Sequence, residues 1–182
     1  MAVAAALNCE TINPNLLNTA KYKLNFSRLP NTVYFCQSIN IPGASFSEVM
    51  HNTPFIDLWV PGDKLILDPL IVTFMIDEDL TTWREIYDWM RGMTFPTNFS
   101  EYRNLDKLNK YSRALSTGKP QYADCNVTLL DAGNVNNVVF KFYDVFPTAL
   151  SPFPLNSTDG PDTILTGDVT LRYNWFDIEF VG

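Results

Sequence analysis

The stretch Leu70–Met93, LIVTFMIDEDLTTWREIYDWMRGM, decides the fold, because it joins an apolar strand, an acidic turn and an amphipathic helix. Its first part, up to Ile76, is apolar on both faces, which is typical of a central strand covered on both sides. Asp77, Glu78 and Asp79 follow this strand, and a helix is predicted from about residue 80 to residue 92. The carboxylates are therefore either chemical groups of an active site or the charged start of a helix.

The predicted helix has one apolar stripe. Arg84 and Asp88 lie on its opposite face and are four residues apart, so they can form an ion pair. Gly92 is the expected end of the helix. We expect the stripe to pack against a sheet, because its members recur at helical spacing: Trp83, Ile86, Tyr87 and Met90.

The acidic turn is better explained as a helix start than as a catalytic or metal site. Carboxylates at a helix N-terminus meet unpaired N–H groups and the positive end of the helix dipole, which contributes about 0.3–1 kcal/mol each. The rest of the chain offers no second carboxylate cluster, no His-rich segment and no phosphate-binding loop. We therefore predict Asp77 and Asp79 as helix caps, with no catalytic residue, cofactor or metal, and we do not expect an enzyme.

Composition narrows the remaining classes. The chain has 182 residues, of which 46% are apolar and 14% aromatic, so one strand-rich domain with a packed core is expected. Its net charge of −7 disfavours a conventional nucleic-acid-binding protein, which needs a basic face. The three cysteines have no motif spacing, which favours a reducing compartment. No apolar run is long enough to predict a membrane span.

The remaining sequence predicts mainly strands around this helix. Residues 1–20 are interpreted as an N-terminal arm, and residues 21–182 as a single β domain. The apolar phase of the last strand slips by one residue at Trp175-Phe176, which predicts a bulge or bend that lets one segment serve two faces. Long loops are expected at about 44–57, 95–122 and 147–161, and a turn at Pro61-Gly62-Asp63-Lys64.

Five short motifs in a fixed order resemble a known family, the tail tube proteins of contractile-tailed bacteriophages, which are similar in fold to type VI secretion tube proteins. The motifs are Tyr34-Phe35-Cys36-Gln37 leading to Pro42-Gly43, then Gly62-Asp63-Lys64, Val72–Met75 followed by Asp77-Glu78, Tyr87-Asp88-Trp89, and Asp144-Val145-Phe146-Pro147. The resemblance implies a mainly β (α+β) fold, an antiparallel β-sandwich or barrel with one flanking amphipathic helix. It carries over no catalytic residues.

The resemblance also implies an assembly. Subunits of this family form homohexameric rings that stack into a tube and conduct DNA during ejection, and the loop at about 44–57 reaches toward a neighbouring subunit or ring. The partners expected from it are further copies of the chain, tail sheath and baseplate proteins, and double-stranded DNA that passes without specific binding. The expected location is the virion tail, with assembly in the host cytoplasm. The proposed inter-subunit contacts are Phe46, Met50, Phe55 and Trp59.

An acidic lumen would repel DNA phosphates, so that the genome slides without adhering. Asp177 and Glu179 are candidates to face this lumen, because they alternate with apolar residues on the last strand.

Three other functions stay open at this stage. The first is a baseplate, tube-initiator or terminator ring protein of the same fold. The second is a ligand-binding β-sandwich that uses aromatic loop residues such as Trp59. The third is an enzyme that uses the carboxylates at residues 77–79.

Overall fold

The computed structural model describes residues 16–26, 28–94, 96–108, 120–156 and 164–181. In this part of the chain the elements run in the order β1 Tyr22–Phe26, α1 Pro30–Tyr34, β2 Cys36–Asn40, β3 Ala44–Asn52, β4 Asp57–Leu67, β5 Leu70–Met75, α2 Thr81–Thr94, α3 Ser100–Leu108, β6 Ala123–Leu130, β7 Asn136–Leu150, β8 Thr166–Arg172 and β9 Trp175–Phe180. In these residues no helix is both long and apolar enough to cross a membrane.

Two antiparallel sheets share the long strand β7. Sheet A contains β1, β6, the first part of β7 and β9, whereas sheet B contains the last part of β7, β8, β5 and β2. The strand passes from one sheet to the other near Asp144, whose φ of 55° and full burial mark a sharp local bend. Asn174 donates a side-chain hydrogen bond of 2.9 Å to the Asp144 carboxylate, which ties this bend to the break between β8 and β9. The fold is therefore the expected antiparallel β architecture, and in the described residues its sheets do not close into a barrel.

The core lies between the inward faces of the two sheets and beneath α2. Phe74 and Phe142 are its largest fully buried side chains, one from each sheet. Along β5 the residues facing the core are buried and the alternate ones are half-buried. This strand is central, as predicted, but one of its faces is only partly covered.

The predicted phase slip at Trp175-Phe176 lies close to the point where the chain passes from one sheet to the other. Strand β8 ends at Arg172 in sheet B, and β9 begins at Trp175 in sheet A. The prediction that this segment serves two faces is confirmed.

Two predictions about residues 44–64 were wrong. Residues 44–57 are mostly strand β3, and the predicted turn at Pro61–Lys64 lies inside β4, where the pairing register shifts opposite Ser47. These two strands form a hairpin that is exposed on both faces, so neither strand shows the alternation of a half-buried strand.

The number of helices was also underestimated, because one was predicted and the described residues contain three. The five-residue helix α1, with Pro30 in its first turn, is an additional helix that was not predicted. Helix α3 occupies part of the predicted loop 95–122, whose residues 109–119 lie outside the described chain. In the predicted loop 147–161, β7 continues to Leu150 and residues 157–163 are outside the described chain, as are residues 1–15 of the predicted arm.

Gly92 does not end α2, which continues to Thr94. It is buried against α3, and a Cβ at this position would lie 2.9 Å from Cδ1 of Leu105. The glycine therefore permits the close approach of two helices.

Candidate assembly surfaces

The hairpin formed by β3 and β4 is the most exposed apolar part of the described chain. Its strands pair with each other over their whole length and make a separate two-stranded sheet. Large apolar side chains along it are exposed to solvent, with Trp59 at 63% and Met50 at 48% of their full exposure. An isolated two-stranded sheet is marginally stable in water, so this hairpin is an element that packing against another surface would complete.

The two faces of the hairpin are both apolar. Met50 lies directly opposite Trp59, and Val49 directly opposite Val60, so the two pairs point to opposite faces. Of the proposed inter-subunit contacts, Met50 and Trp59 share one face, Phe46 lies nearer the base and Phe55 lies at the tip. The hairpin can therefore contact neighbours on two sides.

A bulge shapes the base of the hairpin. The backbone N–H of Lys64 donates to the Ser47 hydroxyl at 3.0 Å, at the point where the register shifts. A Cβ on Gly62 would lie 2.3 Å from the Ser47 Oγ and 2.8 Å from its carbonyl oxygen. Only glycine fits here without displacing the partner strand.

The start of α2 is held by one carboxylate of the acidic turn. The backbone N–H groups of Thr81 and Thr82 donate to Asp77 at 3.2 and 3.0 Å, and the Thr82 hydroxyl donates at 2.8 Å. Hydrogen bonds from Thr81 and Thr82 keep the pKa of Asp77 well below its usual range. Asp79 lies exposed in the turn before the helix. Asp77 therefore caps the start of α2, and this structural role accounts for its hydrogen bonds.

The apolar face of α2 is rotated relative to the predicted stripe. Ile86 is buried and Trp83 and Met90 are half-buried, but Tyr87 is exposed, and it stacks on Trp83 with ring centroids 5.2 Å apart. Trp89, which lies outside the predicted stripe, is buried instead. Thr82 and Gly92 of α2 are buried as well, and α1 and α3 both contact this helix.

Trp89 is fixed by polar contacts as well as by burial. Its indole Nε1 donates to the Gln121 carbonyl at 3.1 Å, and the Arg28 guanidinium lies 4.6 Å from its ring centroid. Arg28 also donates to the Pro120 carbonyl at 2.5 Å, and burial lowers the pKa of Arg28 to about 10. These contacts join the segment after β1 and helix α2 to the segment that leads into β6.

Sheet A has a polar outer face with charges of both signs. Lys141 on β7 forms a 2.6 Å ion pair with Glu179 on β9, and it lies directly opposite Asp177. By register, Lys23 lies on the same face at the opposite edge of the sheet. The two lumen candidates are thus exposed together on one polar surface, where Lys141 partly offsets their negative charge.

The described residues contain no group of three or more His, Cys, Asp or Glu side chains placed to hold a metal ion. His51, the single histidine, is exposed on β3.

Sequence reasoning missed two residues that the structure makes conspicuous. Ile178 and Phe180 of β9 point toward the core side of sheet A, yet they are 48% and 80% exposed because sheet B does not extend over them. The signal was present in the sequence as apolar residues alternating with Asp177 and Glu179. It resembled an ordinary core-facing strand, and sequence alone does not reveal where the covering layer ends.

Comparisons with known proteins agree with this architecture. The family described as "Phage tail tube protein" matches residues 6–179. A curated relative, the tail tube terminator protein of Enterobacteria phage T4, is 29% identical over 172 residues, covering 91% of this chain and 90% of the relative.

Solved structures share the fold at low sequence identity. The tube-terminating cap of the anti-feeding prophage matches with a TM-score of 0.62 and 12% identity, over 97% of this chain and 99% of its own. The sheath/tube terminator of an extracellular contractile injection system, in its extended state, matches with a TM-score of 0.60 and 13% identity, over 93% and 99%. Because the family match spans nearly the whole chain, the protein belongs to the phage tail tube protein family.

Proposed function

We propose that this tail protein forms a hexameric ring that ends the tail tube, with the β3–β4 hairpin as its main contact to neighbouring subunits. The observation that supports the proposed assembly is the hairpin itself, which exposes apolar side chains on both faces. Exposed apolar patches of this kind typically mark surfaces that another protein covers.

Two-sided exposure suggests how the hairpin is used. A partner that covered only the Met50–Trp59 face would leave Val49 and Val60 in water. Insertion between two subunits covers both faces, and it turns the marginal hairpin into part of a larger packed layer. Such a contact is heterologous, with different surfaces meeting, and repetition of it around an axis closes a ring.

The assignment to the end of the tube rests on relatives. The T4 relative is named as a tail tube terminator, and two of the matched structures are a terminating cap and a sheath/tube terminator. In this position the partners are the last ring of the tube and the tail sheath. The polar face of sheet A faces the channel, with Asp177 and Glu179 in the lumen, and double-stranded DNA passes it without specific binding.

The experiment is assembly of the purified full-length chain, alone and with tail tubes. Negative-stain electron microscopy of a terminator should show single six-fold rings alone and one ring at the end of each added tube. A chain that stays monomeric in both conditions, or that binds along the sides of tubes, would contradict the proposal.

A second candidate is the repeated tube subunit, which the family description and a matched sheath–tube complex favour. That complex matches with a TM-score of 0.58 and 13% identity over 92% of this chain and 94% of its own. The same images separate the two roles, because a repeated subunit lengthens into tubes as its concentration rises, whereas a terminator stops at one ring.

A further inference from the structure

An apolar groove lies between β1 and β2, where the two sheets do not meet. Strand β1 is the last strand of sheet A and β2 the last strand of sheet B, and no described strand joins them. The groove has a volume of about 950 Å³, at the upper end of the range of about 300–1,000 Å³ that is typical of ligand pockets. Apolar side chains line both of its walls: Leu24, Val127 and Leu129 on one side, and Val33, Ile39 and Ile41 on the other.

The groove is closed at its floor and open along its walls. Leu24 at the floor is buried, whereas Ile39 and Leu129 are only half-buried. One contact bridges the two walls, since the Tyr22 hydroxyl donates to the Gln37 carbonyl at 2.6 Å. An open apolar surface of this kind is typical of a place that another segment covers.

The described chain begins at the rim of this groove. Leu17 and the three residues that follow it line the groove, and Leu17 is largely exposed. Asn18 holds the rim in a turn, because its side-chain oxygen accepts from the N–H of Ala20 at 3.0 Å and its carbonyl accepts from the N–H of Lys21 at 3.3 Å. Residues 1–15 lie outside the described chain, and they are therefore joined to it beside the groove.

The sequence of this segment suits the groove. Residues 1–7, MAVAAAL, are all apolar, and Asn13-Pro14-Asn15 is typical of a turn that reverses the chain. Val3 and Leu7 share one side whether the segment is helical or extended, because four residues make about one helical turn and an even number of strand positions. The stretch from Leu7 to Leu16 spans up to about 30 Å when extended, which is more than the width of a groove of this volume.

We propose that residues 1–7 pack in the β1–β2 groove of their own subunit, with the side chains of Val3 and Leu7 against its apolar walls. The docking is intramolecular, so the short connection supplies an effective concentration on the order of millimolar. Burial of apolar surface on both partners supplies the free energy. The docked segment covers an apolar surface of the free subunit that would otherwise favour non-specific association.

Two native cysteines report on this contact. Cys36 lines the groove, and Cys9 follows Leu7 by two residues, which is about 7 Å of extended chain. Docking of Leu7 therefore brings the two thiols near the separation of a disulfide, whose Cα atoms are about 4.4–6.8 Å apart. In glutathione buffers the two thiols reduce one oxidised glutathione to two reduced ones as their S–S bond forms. The equilibrium gives the effective concentration of one thiol for the other.

The disulfide is measured in the full-length chain, diluted until mass photometry shows single subunits. The effective concentration of Cys9 for Cys36 should be at least tenfold above that of Cys9 for the new thiol in Cys36→Ser/Leu155→Cys, because Leu155 is exposed outside the groove. Mass spectrometry of unreduced peptides identifies each pair. Equal effective concentrations would overturn the proposal, since a tethered segment without a docking site reaches both thiols alike. Disulfides between two chains, seen as dimers on non-reducing gels, would also overturn it by placing the segment in the groove of a second copy.

Charged substitutions test the apolar contact independently. Val3→Asp/Leu7→Asp places carboxylates against apolar walls, which disfavours docking. Asn8→Asp/Thr11→Asp adds the same charge outside the apolar run and is the matched control. A maleimide should label Cys36 at least tenfold faster in the first variant than in the wild type, whereas the control should label at the wild-type rate, with peptide mass spectrometry to identify the thiol. Similar rates in all three chains would overturn the docking.

Both measurements are independent of the proposed ring, because they use single subunits. A chain that protects Cys36 through residues 1–7 but forms no ring would support this contact and contradict only the proposed function. A chain that forms rings while Cys36 reacts equally fast in the wild type and in Val3→Asp/Leu7→Asp would overturn the contact and leave the ring proposal standing.

Discussion

The hairpin makes the strongest prediction about assembly, tested by the double substitution Met50→Thr/Trp59→Thr. These residues face each other across the two strands, and threonine keeps the strand preference while removing most of the apolar surface. Both side chains are largely exposed in the single subunit, so the loss should fall on assembly and hardly on folding.

The size of the effect follows from the exposed area. Trp59 is 63% exposed and Met50 48% exposed, which leaves roughly 250 Å² to be covered by a neighbour. At about 25 cal/mol per Å² that surface contributes roughly 6 kcal/mol as an upper limit. Ordering of side chains and imperfect packing reduce it, so we expect a loss of about 3 kcal/mol per contact. This loss is a factor of about 150 in the affinity of one subunit for the next.

The assay is mass photometry over a dilution series, with electron microscopy of the same samples and thermal unfolding of the monomer. The concentration for half-assembly should rise by about two orders of magnitude while monomer unfolding changes by less than about 0.5 kcal/mol. Leu155→Thr, at an exposed residue outside the hairpin, is the matched control and should behave as the wild type. A shift of less than threefold, with the fold intact, would show that this face of the hairpin stays in water and would refute the reasoning.

Three further outcomes test other parts of the structure. Asp77→Ala should lower the free energy of unfolding by about 0.5–2 kcal/mol at pH 7, as for other lost helix caps, whereas Asp79→Ala should cost almost nothing in chemical denaturation. Because the pKa of Asp77 is depressed in the folded state, this stabilisation is present above about pH 4 and declines as the pH falls further; a constant difference down to pH 2 would contradict the cap. Gly62→Ala should reduce ring formation in electron microscopy while leaving the melting temperature nearly unchanged, because its Cβ collides with the partner strand of a hairpin that lies outside the core. Phe74→Ala should cost about 3–5 kcal/mol in denaturant titrations, and the exposed Phe55→Ala within about 0.5 kcal/mol of zero; similar values for the two would contradict the assigned core.

The sequence predicted most reliably those elements whose pattern is set within one subunit. Strand β5 and helix α2 bury one side against the core, so their apolar spacing reports their structure directly. The phase slip at Trp175-Phe176 could be predicted for the same reason. The side of the chain that faces the core changes where the chain passes from one sheet to the other. The rotation of the buried face of α2 toward Trp89 could not be predicted from the sequence, since it depends on contacts of this helix with α1 and α3.

The predictions about surface charge were less complete than the predictions about buried apolar residues. An acidic strand at Asp177 and Glu179 suggested a uniformly acidic lumen, but cross-strand register brings Lys141 from a distant part of the chain beside them. The charge of a sheet surface depends on which residues are neighbours across strands. The sequence shows only which residues are neighbours along one strand. If this face lines the proposed channel, a DNA phosphate meets charges of both signs on it, so the repulsion expected from the carboxylates alone is weakened.

The hairpin and β9 failed the usual sequence rules for a common physical reason. Amphipathic alternation arises because one face of a strand meets the core and the other meets water. Both faces of the hairpin strands meet water in the single subunit, and Ile178 and Phe180 on the core side of β9 are exposed as well. If both elements are completed by other subunits, their sequences are adapted to the assembly, and apolar residues that look misplaced in one chain are correctly placed in the ring.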